Sequence, residues 1–339
     1  MCKAGRFYAI LVALSAVVIY SVCMNQATPA AEREQPKPIL PQWIMDGSVS
    51  ETLESAGFAS GSALALLHVV LHDPAINVPA ELLRNRLALR AAVHCLKLEG
   101  RAETEADIRD AYLLTSPGDA MGPAGDMLTL WRMGASVSFR HAGWRERLCA
   151  LLPEDIQEHF PKWMEQAEDA PGTPVAKAAA LLGNMVQMFP RQEAFALLCA
   201  NIILARSLGW SDTLPLFGLH LTGKALRAAA VGEDILIACH VAVSHASQDT
   251  VRLAYDLARR ATHLRTVEPK LRTKGSDAAA HLFLSEDAVL PSTMLSPIIQ
   301  GSNTPVTGRS ARRFCDRLVE LGVARELTGR STFRLYEVA

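Results

Sequence analysis

The chain has almost no charge of either sign in excess: 34 Lys and Arg stand against 35 Asp and Glu, a net charge of −1 over 339 residues. That balance argues against a global electrostatic drive toward nucleic acid or an anionic membrane surface. Paired cysteines are missing too. The seven cysteines (2, 23, 95, 149, 199, 239 and 315) are scattered singly, with no Cys-x-x-Cys. An odd, dispersed set fits neither a disulfide framework nor a zinc site. From Cys95 onward each lies among apolar neighbours, where a free thiol behaves as a small hydrophobe and a reducing cytosol suits it. There is no nucleophile elbow, no His-Glu-x-x-His and no Gly-Lys-Ser/Thr phosphate loop. No catalytic residue, metal or cofactor is therefore assigned.

Half of the residues are hydrophobic, enough to bury a sizeable core. From 49 to 286 the apolar residues recur at helical spacing, and β-branched alternation is scarce. The expected helices cover 50–71, 79–98, 103–113, 123–136, 144–152, 154–167, Pro174–Met188, 192–208, 223–231, 233–244, 249–264 and Ser276–Ser285. The run Asp169-Ala170-Pro171-Gly172-Thr173-Pro174 is polar and rich in turn formers, which makes it the best internal boundary. The fold class is mainly α, with helical lobes at 49–169 and 174–274.

The tail differs. Ala311, Phe314, Cys315, Leu318, Val319 and Leu321 fall on one side of a helix, and Arg309, Arg312, Arg313, Asp316, Arg317 and Glu320 on the other. Gly322 is placed to end that helix. Residues 324–327 and 331–338 read as two strands about a Thr328-Gly329-Arg330 turn, with Phe333 and Leu335 on one face and Arg334 and Tyr336 on the other. A helix followed by a hairpin is the layout of a winged helix, here spanning 275–339, although the preceding helix at 292–299 is interrupted by Pro297. From Arg309 on, seven arginines face four acids, and 259–274 is also basic. The expected partner is duplex DNA, met by Arg309, Arg312, Arg313 and Arg317 from the helix and by Arg330 from the hairpin tip.

Three segments, Gly61 to Leu71, Leu82 to Gly100 and Leu264 to Gly275, resemble one bacterial family, as do Ile108-Arg109-Asp110-Ala111 and the Pro-Gly-Asp/Gly-Pro-Ala-Gly loop at 117–125. The tail from Arg309 to Tyr336 is similar to it as well, most specifically in its Gly-Arg-x-x-Phe-Arg-Leu-Tyr ending. The family is called domain of unknown function 1403, and the resemblance runs from about Trp43 to the end. It implies a coherent fold and no particular activity.

The N-terminus carries an uncharged stretch, Phe7 to Met24, behind Lys3 and Arg6. It reads as a single membrane anchor, as an over-extended start with Met24 the true initiator, or as a poor cleaved signal. The membrane is a partner only if this stretch is translated and inserted. A proline-rich leader occupies 25–48. With Met24 as the start, the body is cytoplasmic.

Other side chains have spacings that bear on chemistry. His68 and His72 are four apart on one helix face, yet no third metal ligand is placed by sequence, and His240 and His245 are five apart on different faces. Arg86 and Arg90 share a face, and Arg109 and Asp110 lie where the next helix could return beside them. The group reads as an anion or acid–base site in a helical groove, or as interhelical ion pairs. The loop at 116–125 reads as a helix connector capped by Asp119. Two function classes stand beside DNA binding. One is a scaffold, tethered or soluble, that binds itself or another protein through the helical body; the other is an enzyme in the groove near Arg86.

Overall fold

The computed structural model describes residues 52–271, 276–295 and 308–339. The uncharged stretch at 7–24 and the leader at 25–48 lie outside them. Within the described residues the fold is mainly α, and it ends in a two-stranded antiparallel hairpin.

Helix α1 (Leu53–His72) starts from a capping box, in which Thr52 and Ser55 each accept from the other's backbone N–H. It lies along α12 (Leu236–Val267), a helix of 32 residues. The sequence suggested two helices there, broken near 244–248 by polar residues. The break does not occur. Ser244, Ser247 and Thr250 are buried, and Thr250 donates from its hydroxyl to Ala246 O one turn back at 2.7 Å. Thr250 is satisfied inside its own helix, and these small buried side chains belong to the helix that runs along α1, so polarity there marks packing and not a loop.

Between these lie α2 (Ala80–Leu98), α3 (Glu105–Leu113), α4 (Gly122–Ser136), α5 (Trp144–Cys149), α6 (Glu154–Gln157) and α7 (Phe160–Asp169). The expected helix at 154–167 is therefore two pieces. Residues 170–173 then lead into α8 (Pro174–Met188), which begins at Thr173, whose side chain accepts from Ala176 N, with Pro174 in the first turn. Next come α9 (Glu193–Ser207), α10 (Phe217–His220) and α11 (Gly223–Ala230). Helix α9 is apolar on all sides, and nearly every residue from Ala194 to Ala205 is buried. A helix of that kind belongs at the centre of a core. It packs on α8, α7 and α10, so helices on both sides of 170–173 share one continuous apolar cluster.

Asn201 is the polar exception within α9. It is fully buried; its Nδ2 donates to Leu197 O at 2.8 Å, and its Oδ1 accepts from Phe217 N at 3.0 Å. The short helix α10 is thereby pinned to the core. It also sits tightly against α4: a Cβ on Gly218 would fall 2.6 Å from the Trp131 ring.

Helix α13 (Ser276–Ser285) packs on α2 and leads to a single turn of π-helix, Pro291–Leu295. Helix α14 (Gly308–Glu320) follows, then β1 (Ala324–Glu326) and β2 (Tyr336–Val338), with Ala324 opposite Val338. Val289 forms an isolated bridge to Tyr336 beside the hairpin.

Two histidines, the half-buried His94 and the buried His240, give the fold a pH dependence. His94 donates from Nε2 to Leu221 O at 2.8 Å, and His240 meets Ser60. Burial holds both below the ordinary value of 6.5; for His94 the Leu221 bond opposes this, while the nearby charges of His220 and Lys97 add to it. The unfolded chain then takes up these protons first. The stability they contribute is present above pH 6.5 and is lost as pH falls through the lower folded values. Urea midpoints should drop as pH falls below 6.5, ahead of carboxylate titration, and His94→Gln should flatten that slope. An unchanged slope in His94→Gln would remove its share.

Candidate nucleic-acid interface

Helix α14 buries Ala311, Phe314, Cys315 and Leu318 against the π-turn and β1, while Val319 is 39% exposed. The buried stripe is narrower than the sequence suggested because the helix rests on one hairpin and one turn. Its end is a Schellman motif: Val323 N donates to Leu318 O, Gly322 N donates to Val319 O, and Gly322 takes φ +72°. That reversal sends the chain directly into β1.

The hairpin departs from simple alternation. Phe333 lies outside the strand at φ +53°, in the left-handed region, and is 64% exposed, while Leu335, Tyr336, Glu337 and Val338 are all buried. The strand regains a regular path only at Leu335, whose carbonyl accepts from Leu327 N. Phe333 and Leu335 therefore do not share a face.

The opposite side of α14 holds the charge. Arg309, Arg312, Arg313, Asp316, Ser331 and Arg334 line a cleft of about 370 Å³ between the helix and the hairpin. Arg309 and Arg313 are exposed and make no ion pair among the described residues, while Arg312 donates from Nε to Gly308 O at 3.3 Å. No acidic residue occupies the first turn of α14, so the positive end of the helix dipole adds to the three arginines. Asp316 is partly engaged elsewhere: Tyr336 Oη donates to it at 3.0 Å and Arg334 lies 3.8 Å away. Burial first, with the Asp316 contact adding to it, pushes the Tyr336 phenol up to about 12, so it stays a donor.

The other two arginines of the expected interface have partners. Arg317 pairs with Glu320 at 2.8 Å, one turn along. Arg330, at the hairpin tip, pairs with Asp110 of α3. That contact joins residues far apart in sequence and ties the tip to the helical body.

The group Arg86, Arg90, Arg109 and Asp110 is only partly assembled. Arg86 of α2 and Arg109 of α3 meet at one carboxylate, Asp287: Arg86 Nε lies 2.7 Å from Oδ1, and Arg109 hydrogen-bonds through Nε and Nη2. Arg86 also contacts Glu337 of β2, which pairs with Arg325 as well. Asp287 and Glu337 are 5% and 1% exposed, so this is an interior ion cluster with its charges matched. Burial depresses Arg109, and the Asp287 bond and charge more than offset that, so its charge is secure. Arg90 is exposed and near enough to Asp249 to help lower its carboxyl, behind the larger effect of the His220 hydrogen bond. Asp287 and Glu337 had no signal in sequence, because each lies far along the chain from the arginines it serves.

The His68 and His72 rings lie tilted to one another with centroids 4.2 Å apart, and among the described residues no group of three or more His, Cys, Asp or Glu is placed to hold a metal. His245 lies 6.0 Å from the His220 ring. In the loop at 116–125, Asp119 N donates to Ser116 O. The thiols of Cys95 and Cys199 are pushed up to about 12 by burial, which leaves them unreactive. Among the described residues one helix, α1, is long and apolar enough to cross a membrane; 39% of its apolar window is buried in the protein.

A family model described as "Protein of unknown function (DUF1403)" matches residues 28–338, nearly the whole chain. No curated protein matches it.

Proposed function

Because the chain belongs to this DUF1403 family, whose description names no activity, we propose from the geometry alone that it binds duplex DNA through the cleft between α14 and the hairpin. One observation carries the reading. Arg309, Arg312 and Arg313 project from the start of a helix without carboxylate partners and line one cleft with Arg334. Arginine's planar fork suits phosphate oxygens and guanine edges alike. Arg330 is a lesser contributor here, since it would first have to leave Asp110. The exposed Phe333 ring on the same hairpin offers a flat apolar surface beside the charges. The reading places the body in the cytoplasm, with DNA.

The test is fluorescence anisotropy of the full chain with a labelled duplex across a salt series. Log affinity should fall linearly with log salt. Replacing Arg309, Arg312 and Arg313 together by alanine should reduce that slope by about 2.7, which is three phosphates at roughly 0.9 each. If circular dichroism shows the variant folded and its slope is unchanged, the cleft is not the interface. No binding at low salt would overturn the reading and favour the protein-interaction scaffold.

A further inference from the structure

Helix α1 along most of its length, the first turn of α8, Leu208 and Trp210 just after α9 and the start of α12 line an open cavity of about 900 Å³. Its volume is that of a small-molecule site. Leu53, Leu64, Val69, Val175 and Leu236 supply apolar walls. No lysine or arginine lines it, and the single acid is Glu54. An anionic ligand such as a fatty acid would find no counter-charge there.

Two histidines give this apolar space its polarity. Ser60 Oγ lies 3.0 Å from Gly57 O and 2.7 Å from Nδ1 of His240. A carbonyl can only accept. Both contacts are satisfied together when Ser60 donates to Gly57 O and Nδ1 of His240 donates to Ser60. The hydroxyl proton is thereby committed to its own helix, so Ser60 is not poised as a nucleophile. His240 is 5% exposed and lines the cavity, and its Nε2 has no partner among the described residues. In this tautomer Nε2 is a bare acceptor. At the rim the assignment is reversed: Trp210 Nε1 donates to Nδ1 of His68 at 3.0 Å, so neutral His68 carries its proton on Nε2.

We infer that this cavity binds a neutral, mainly apolar small molecule bearing a hydroxyl group, which donates to Nε2 of His240 while its body fills the space between α1 and α8. The inference is independent of DNA binding, because no residue of the arginine cleft lines the cavity.

The probe is 2-naphthol, an aromatic body with one hydroxyl donor, titrated into the full chain by its own fluorescence beside 2-methoxynaphthalene, which cannot donate. One saturable site is expected, with the methoxy compound about tenfold weaker, the worth of one buried hydrogen bond. In His240→Phe the two probes should bind alike. Gly61→Phe should block both: a Cβ at Gly61 meets nothing within 4 Å, so the helix accepts the change and the ring enters the cavity. Should His240→Phe fail to fold, the two probes on the native chain and Gly61→Phe still decide. Absence of saturable 2-naphthol binding, equal affinity for the two probes in the native protein, or binding untouched by Gly61→Phe would each overturn the inference.

Discussion

Asp287→Ala should destabilise the protein by about 3–5 kcal/mol, the usual effect of removing one partner from a buried ion pair. The reason lies in what remains. Arg86 and Arg109 have side chains only 12% and 10% exposed, and both direct Nε at this carboxylate. Without it, Arg109 keeps only the half-exposed Glu105 and Arg86 keeps only Glu337. Two guanidinium groups would then share a low-dielectric space with one interior acid, and water would have to enter. Asp287→Asn retains an acceptor of the same shape and should cost less than the alanine change. Urea unfolding reads both variants through the midpoint, with the slope as a check on two-state behaviour. A loss under 1 kcal/mol in Asp287→Ala would mean that the cluster is already hydrated.

Asn201→Leu should cost about 2–3 kcal/mol, although leucine has the same number of side-chain heavy atoms as asparagine and is better suited to an apolar helix. Asn201 is the one polar residue buried in the middle of α9, and its Oδ1 is the partner of Phe217 N. Leucine leaves that N–H buried and unsatisfied, which is the costly half of losing a hydrogen bond. The effect is local before it is global. Amide hydrogen exchange at Phe217 should speed up markedly, because α10 is only four residues long and has little else to hold its first turn. Unaltered protection at Phe217 with an unaltered urea midpoint would show that α10 is held by packing alone.

These two cases show where sequence was informative. Helix α8 was legible to the residue, since Thr173, Pro174 and the Phe189-Pro190 stop are local signals that act within a turn. Helix α13 and the buried face of α14 were readable for the same reason, as was the helix-and-hairpin order of the tail. The continuity of α12 was not. Its polar middle looks like a loop until α1 is laid against it, and that pairing is tertiary. The arginines of the interior cluster were visible as neighbours on adjacent helices, but Asp287 and Glu337 were hidden by distance along the chain. The cavity was hidden more completely, because its walls come from separated segments that periodicity treats one at a time.

The position of Glu337 bears on how the chain is made. Arg86 emerges from the ribosome early, and its interior partner Glu337 follows some 250 residues later, on the order of 12 to 50 seconds at ordinary translation rates. Through that interval Arg86 of α2 has been made and lacks the β2 carboxylate that pairs with it. Acquisition of the native interior is consequently a late event in biosynthesis. A chain stalled before β2 would present an unfinished, positively charged seam to the quality-control machinery.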